Sequence, residues 1–456
     1  MNKEPASFRD PAGFLFWRDG VLYRQVNREY LPHYRRLMSS GLYRDLTGRG
    51  WLIPHEEVDV APARADDAAQ ILRPRRLPFI SYPYEWCFAQ LKDAALLTLA
   101  IAARALESDM ILKDASSFNV AFDGPTPVFI DTLSFEEYRE GEPWVAYRQF
   151  CEHFLAPLAL MASTHVEMGR LLSGGIDGIP LAAASRALPR RSWLSSGLLM
   201  HLHLHARGER SLAKSGPGTS RRGVGRRAFA GLLDSLEGTV RGLRWRPEGI
   251  WSDYYDGDSY SEEAFSHKEE TIRSFLGKLA PGDVWDLGGN VGTFSRIAEE
   301  EGARVVSFDA DPACVQINYR KNRELGSEVL PLWVDLTNPT PPLGWCNRER
   351  ESLLNRGPAD VAMGLALVHH LAIGNNVPLP EVAQLFARTG RDAVVEFVPK
   401  DDDKVRGMLA GRRDIFGDYT RESFERSFKR YFDIEETVPL RDSHRILYLM
   451  RGGCAS

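Results

Sequence analysis

The run Asp286-Leu287-Gly288-Gly289-Asn290-Val291-Gly292-Thr293 offers a stretch of backbone that a ligand can approach closely. Glycine has no Cβ and adopts positive φ readily, and a helix starting beyond the run leaves amide N–H groups free to bind. Alone, such a run is equally a tight turn. Two acids follow at suggestive places. Asp309 lies 23 residues after Asp286, near the offset of about 20 residues at which a carboxylate meets ribose hydroxyls in dinucleotide folds. Asp335 ends the run Trp333-Val334-Asp335. The plainer readings are a loop acid or helix cap for Asp309 and a turn-forming aspartate for Asp335. Asp311, immediately before Pro312, suits the cap better.

Further along, Ala366-Leu367-Val368-His369-His370-Leu371 places two histidines in succession. Histidine is a general base near neutral pH for an oxygen or nitrogen acceptor. A buried histidine is equally a structural group held by one hydrogen bond. Successive side chains point apart, so one of the pair is expected to face a pocket, with His370 preferred. Glu396, in Glu396-Phe397-Val398-Pro399, either orients an acceptor or histidine or is a satisfied strand-end acid. The polar and aromatic segment 412–419 is a candidate lid.

These groups need elements that bring them to one edge. Short apolar runs predict strands over 284–287, 304–308, 329–334, 359–367 and 393–398, with helices over 293–301, 312–325 and 379–389 between them. Alternation of this kind predicts an α/β fold, a Rossmann-like doubly wound parallel sheet with ligands at the carboxyl ends of its strands. A helix over 421–430 is followed by 434–438 and 445–450, close enough to pair as an antiparallel hairpin.

Glycines and acids ending three successive strands resemble the class I S-adenosylmethionine-dependent methyltransferases, over essentially all of 251–451. Within that family the chain is similar to bacterial two-part methyltransferases, some labelled nodulation proteins. The closing hairpin fits that family rather than a dehydrogenase. So does the loop, whose spacing is not the GxGxxG of a pyrophosphate site. The resemblance implies S-adenosyl-L-methionine as cofactor. Its methionine portion would lie on Asp286, Gly288, Gly289, Asn290, Gly292 and Thr293. Asp309 would bind the ribose and Asp335 the adenine amino group, with Leu336 and Leu365 also cofactor-binding positions. In such proteins aromatics of the preceding segment, here 251–255 and Tyr260, often cover the cofactor; packing of a helix on the sheet is the alternative. His369, His370 and Glu396 would serve the acceptor side. Methyl transfer is an in-line displacement at a sulfonium, so orientation can supply most of the catalysis and a base is not obligatory.

The first 205 residues are rich in aromatic and apolar groups and are expected to form an α+β domain. After a helix over 90–106 come Lys113-Asp114, Asn119 and, beyond a turn, Asp131. The pattern resembles the catalytic loop and metal aspartate of kinase-like phosphotransferases, which would make Asp114 a base and Asn119 and Asp131 magnesium ligands. It departs from that family at Lys113, at Thr132-Leu133, and in having no glycine-rich phosphate loop. A hairpin is expected about Asp19-Gly20, with Arg24 as its nearest cation. A degenerate domain used for binding or support is favoured over an active kinase. His201, His203 and His205 would share a face on a strand and could bind metal, but their flanks read as a helix end, so no metal is expected.

Residues 206–228 are Gly-, Ser- and Arg-rich with almost no large apolar groups, the composition of a flexible basic linker. The methyltransferase domain is then expected over 229–456, opening with a helix over 229–243. At 456 residues, 43% of them hydrophobic, the chain can bury more than one core. Its net charge of −5 gives no reason to expect a nucleic-acid or membrane partner. The five cysteines are scattered singly, and charges precede any apolar run, which together point to a cytoplasmic protein. The expected activity is O- or N-methylation of a small-molecule or other cytosolic acceptor. The alternatives are a phosphotransferase fused to a methyltransferase-like domain, and an RNA methyltransferase tethered by the basic linker.

Overall fold

A computed structural model describes residues 2–208, 225–246 and 261–453. The chain divides into two compact units, Met1–Arg246 with Pro342–Glu351 and Pro247–Pro341 with Ser352–Ser456.

The first unit begins with an antiparallel sheet in the order β1 (Asn2–Lys3), β2 (Gly13–Arg18), β3 (Val21–Asn27), β5 (Ala68–Pro74), β4 (His55–Glu57). Asp19 and Gly20 form the expected two-residue turn, with φ of 49° and 77°. Two positive φ values match the twist of the flanking strands, which is why Asp-Gly works here. The helix Phe88–Glu107 is buried on most sides, through Leu91, Ala95, Leu99 and Ala102 among others. Beyond it β6 (Met110–Leu112) pairs with β9 (Phe135–Glu137), and β7 (Val120–Asp123) with β8 (Thr126–Phe129). Hydrogen bonds from Lys113 N to Ser134 O (2.7 Å) and from Ile130 N to Asn119 O (2.8 Å) hold the intervening loops together.

The histidine repeat lies in a wide helical turn, Leu199–Leu204, so its members diverge. His201 bonds Tyr147 Oη and Ser235 Oγ, each at 2.8 Å, and His203 bonds Ser185 and Ser192 at the same distance. They are satisfied core groups.

The helix placed at the head of the methyltransferase domain belongs to the first unit instead. It spans Arg226–Gly242 and buries Phe229, Leu233, Leu236 and Val240. This apolar face is matched in the first unit, where Phe229 packs on Trp144 with centroids 5.8 Å apart. Lys92 Nζ also caps its end, donating to Arg241 O (2.8 Å) and Leu243 O (2.7 Å). The expected linker is therefore shorter than 206–228 at both ends, and its middle lies outside the described residues.

Residues 342–351 also belong to the first unit, although they fall between two strands of the second. Glu349, with only 2% of its side chain exposed, accepts from Arg9 Nε (2.8 Å) and Nη2 (2.6 Å) and from Trp345 N (2.6 Å). Arg350 lies over the Phe118 ring at 4.3 Å.

The second unit is a seven-stranded sheet in the order β12 (Leu330–Trp333), β11 (Arg304–Asp309), β10 (Asp283–Leu287), β13 (Ala359–Gly364), β14 (Gly390–Phe397), β16 (Ile446–Gly452), β15 (Phe432–Pro439). The first five are parallel to one another; β16 runs antiparallel to both β14 and β15. The Rossmann-like doubly wound sheet and its closing hairpin are thus present. Buried Val284, Val305, Val361, Val394 and Leu447 share one core with Phe294, Phe275 and Ile272 from covering helices. Asp311 caps the helix Pro312–Leu325, accepting from Ala313 N at 2.8 Å, and Gly326 ends it at φ 70°. β13 is shorter than predicted, because Ala366 turns to φ 51° just beyond it.

Candidate functional site

β10 is the strand at which the order reverses: β11 and β12 lie to one side, β13 and β14 to the other. A crevice opens at the carboxyl end of such a strand, and the chain places its glycine loop there. Gly288 N and Gly289 N donate to Phe308 O at 2.8 and 3.0 Å, tying the loop to β11. A Cβ at Gly289 would stand 2.1 Å from Ser307 Oγ, and one at Gly292, where φ is 78°, 2.1 Å from Asn318 Oδ1. Only glycine fits at either position. Gly288, at φ 76°, faces Leu367, and Asn290 is left-handed at φ 50°. Arg296 braces the turn by donating to Val291 O (3.1 Å) and Asn322 Oδ1 (3.0 Å). Thr293 begins the helix Thr293–Glu300 and is half-buried.

Two carboxylates meet at this loop. Asp286 is buried and accepts from Ser295 Oγ at 2.5 Å. Burial, seconded by the charge of Asp309, pushes its carboxyl up to about 7, against the pull of Ser295, Lys268 and Arg296. Asp309 accepts from Asn290 N and Asp311 N, both at 2.8 Å. Burial raises it to about 6 despite those bonds. Asp335 lies two residues past the end of β12 and bonds Thr337 N (2.9 Å) and Thr337 Oγ1 (2.6 Å), the geometry of a local turn. Leu336 beside it is half-buried and Leu365 buried. Tyr260 and 251–255 lie outside the described residues.

The histidines follow β13. Their ring centroids are 4.1 Å apart. His369 is fully buried with neither ring nitrogen hydrogen-bonded, while His370 is half-buried. Burial first, and the charge of Arg445 second, brings His370 down to about 4. His369 is lowered further, by burial and then by His370, Arg445 and Lys268. Both imidazoles are neutral at physiological pH.

Glu396, read from the sequence either as a group orienting an acceptor or histidine or as a satisfied strand-end acid, is engaged as the second. Its Oε2 accepts from Lys268 Nζ at 2.7 Å with both side chains wholly buried, and Arg445 Nη1 lies 3.8 Å from its Oε1. Arg445 in turn donates to Asp402 at 2.7 Å. This network was not foreseen, although one sign of it was readable. Lys268 stands at the helical spacing of Ala264, Thr271, Ile272 and Phe275, on the apolar stripe of the helix Glu262–Leu279. Arg445 carried no comparable signal. The segment proposed as a lid is anchored by Arg412, which donates to Ile373 O (2.7 Å) and Asn376 Oδ1 (2.6 Å), and by Lys400 on Asp414 (2.9 Å).

In the first unit, Arg24 reaches Asp131 in a close ion pair, and Ser134 Oγ donates to the same carboxylate. Asn119 Nδ2 donates to Ser134 Oγ at 3.2 Å, and Asp114 accepts from Ser116 N at 3.0 Å. Asp131 is held below the usual carboxylate range; burial opposes this, but Arg24 and the Ser134 bond outweigh it. Burial raises Asp114. Among the described residues no group of three His, Cys, Asp or Glu side chains is arranged to hold a metal ion. The two residues that the resemblance would make magnesium ligands are engaged within the unit, Asp131 with Arg24 and Ser134 and Asn119 with Ser134.

No family model matches the chain. It is 34% identical over 451 residues to the nodulation protein NoeA of Rhizobium meliloti (strain 1021), covering 97% of this chain and 94% of that protein. The chain belongs to the NoeA family. Among solved structures, the magnesium protoporphyrin IX methyltransferase ChlM from Synechocystis PCC 6803, with bound SAM, covers 44% of this chain and 89% of its own at 18% identity and a TM-score of 0.30. The N-methyltransferase NodS from Bradyrhizobium japonicum WM9 covers 42% and 98%, at 10% identity and a TM-score of 0.32. Scores this low transfer no property to a NoeA-family chain. Among the described residues no helix is long and apolar enough to cross a membrane.

Proposed function

We propose that the second unit binds S-adenosyl-L-methionine and transfers its methyl group to an oxygen or nitrogen of a small polar acceptor. The observation that carries this reading is the glycine loop at the reversal strand, pressed so closely on Ser307 and Asn318 that no side chain fits, with desolvated Asp286 and Asp309 beside it. The residues suit the cofactor. A cradle without Cβ atoms admits its amino-acid portion, and two acids with raised pKa values gain from hydroxyl or ammonium donors. Without the cofactor these acids remain desolvated and under-compensated.

In this reading Asp309 accepts from the ribose hydroxyls while the Asn290 and Asp311 amides hold it in place. Asp335, Leu336 and Leu365 line the adenine side. When bound, the cofactor supplies an electrophilic methyl on a sulfonium. His370, neutral and half-buried, receives the acceptor's proton; His369 behind it fixes the ring's position by packing. Glu396 holds Lys268 and touches no acceptor. The segment 412–419 closes over the histidines and excludes water.

A phosphotransferase in the first unit is less well supported, since Arg24 occupies Asp131. An RNA acceptor finds no support in a net charge of −5.

Calorimetric titration of S-adenosylhomocysteine into the wild type and Asp309→Ala tests the proposal. Micromolar binding, weakened about 100-fold in the variant, is expected from losing hydrogen bonds to a charged group. Absence of binding to the folded wild type would overturn it.

A further inference from the structure

Parallel strands of one sheet are ordinarily joined by a crossover built on an α-helix. Among the described residues, those between Trp333 at the end of β12 and Ala359 at the start of β13 form no α-helix. They form only the short turns Trp345–Asn347 and Leu353–Asn355 and one antiparallel bridge. A connection this long without a strand or helix of its own is ordered by what it docks on. Residues 342–351 dock as part of the first unit.

The docking is specific. Leu343 N donates to Arg350 O at 3.0 Å and Arg350 N to Leu343 O at 3.2 Å, which folds the segment into a tongue. Gly344, at φ 82°, lets it close, since a Cβ there would stand 2.6 Å from Glu349 Cβ. The tongue offers its buried carboxylate, Glu349, to Arg9, 340 residues away in the chain, in bonds of 2.8 and 2.6 Å. Those bonds hold the Glu349 carboxyl below its usual range although burial opposes them. Glu351 N donates to Tyr82 Oη at 2.9 Å, and Arg350 lies on the Phe118 ring, which itself meets Tyr82 and His153. Three separate stretches of the first unit therefore grip one short tongue. A carboxylate buried this way is costly without its partner, so Arg9 decides whether the tongue stays docked.

The stems of the tongue belong to the second unit. Leu353 N donates to Thr340 O at 3.1 Å and Leu353 is fully buried, which ties the two stems together. One stem runs on directly from Asp335 and Leu336. With the tongue docked, the chain after Asp335 is held at both ends. With the tongue free, that chain samples more conformations, and ordering it again would consume part of the energy of ligand binding.

We infer that the first unit serves the second as an anchor: its hold on the tongue 342–351, through Arg9 and Glu349, orders the chain that carries Asp335 and so strengthens cofactor binding. Arg9 and Glu349 are positioning residues that act through the chain and touch no ligand. The inference rests on the cofactor reading above and gives the first unit a part in it.

Coupling of this kind is reciprocal: if docking strengthens the ligand, the ligand must strengthen docking. The test follows hydrogen exchange of the full chain in a peptide spanning 342–351, with and without saturating S-adenosylhomocysteine. The ligand should slow exchange there about fivefold or more, the low end of ordinary coupling. Glu349→Gln removes the charge and keeps the shape; it should speed exchange of the tongue and weaken S-adenosylhomocysteine in calorimetry by up to the same factor. Gly344→Ala, confined to the tongue, should act in the same direction and serves if Glu349→Gln folds poorly, with circular dichroism and thermal midpoints as the check. The wild-type exchange needs no variant at all. Tongue exchange indifferent to bound S-adenosylhomocysteine, or a folded variant with a loosened tongue and wild-type affinity, would overturn the inference and leave the cofactor reading standing. No binding to the folded wild type would overturn both.

Discussion

Each unit of this chain gathers aspartates at loop ends, and the two gatherings are resolved differently. In the first, Arg24 comes from β3 to meet Asp131, Ser134 adds a hydrogen bond, and the carboxyl is held below its usual range. In the second, Asp286 and Asp309 have a serine hydroxyl and backbone amides but, among the described residues, no cation in contact, and burial lifts them to about 7 and about 6. An acid matched from within the fold is part of the scaffold. In the proposed reading, an acid desolvated and left under-compensated is held ready for a ligand that brings donors. Asp114, raised by burial, shows that the first unit is not wholly settled either.

The largest expected effect that tests this contrast falls on the first unit. Asp131→Ala leaves Arg24 facing a mostly buried space without its partner. With both side chains slightly exposed, the loss should be about 2–3 kcal/mol of stability, read as a lowered urea midpoint. Affinity for S-adenosylhomocysteine should not change. An unaltered midpoint would break the comparison, because the pair would then be no more structural than the acids of the second unit.

Next come the glycines. Gly289→Ala and Gly292→Ala each force a methyl against Ser307 or Asn318, and the second also strains a left-handed residue. Strain of this kind costs about 1–3 kcal/mol. Affinity for S-adenosylhomocysteine should drop at least tenfold, together with a lower thermal midpoint. Full affinity in either variant would mean that the loop is only a turn.

The sheet and its helices were legible in the sequence because apolar runs of strand length alternated with capped helices. The helices Pro312–Leu325 and Leu379–Thr389 fall where the pattern puts them, each flanked by a proline or glycine that sets its ends. The glycine loop and Asp309 were readable from spacing. What escaped were partnerships across long sequence separations. Nothing local ties Lys268 to Glu396, Arg24 to Asp131, or Arg9 to Glu349. The helix Arg226–Gly242 was assigned to the wrong side of a boundary, because an amphipathic stripe shows that a helix is covered but not by what.

The pH dependence of ligand stabilisation should be smaller. Asp286 and Asp309 have folded pKa values above the unfolded carboxylate, so stability falls as pH rises from about 4 through 6 and 7. Ligand binding favours the ionised forms. The thermal shift produced by a fixed concentration of S-adenosylhomocysteine should therefore be larger at pH 8 than at pH 5.5. Asp131 contributes nothing to this window: its stabilisation is lost only in acid, as pH falls through its depressed folded value. The neutral buried histidines cost stability below about pH 6.5 with or without ligand, so they cancel in the shift. A shift independent of pH would remove the distinction drawn for the second unit's acids.

The smallest effect makes the contrast within a single loop. Asp309 and Asp311 are two residues apart at the end of β11, and both accept backbone N–H groups. Asp311 does so at the first turn of the helix Pro312–Leu325, where the Ala313 amide would otherwise lack a partner. Its removal should cost about 1 kcal/mol of stability, the usual loss for an N-cap, and change the affinity for S-adenosylhomocysteine little. Asp309→Ala should weaken binding strongly, while its effect on stability is small, because removing a desolvated carboxylate offsets the loss of partners for the Asn290 and Asp311 amides. If both variants lose affinity equally, the loop acts as one rigid anion rather than as a cap beside a ligand group. The distinction between scaffold acids and site acids would then hold between the units but not within the site.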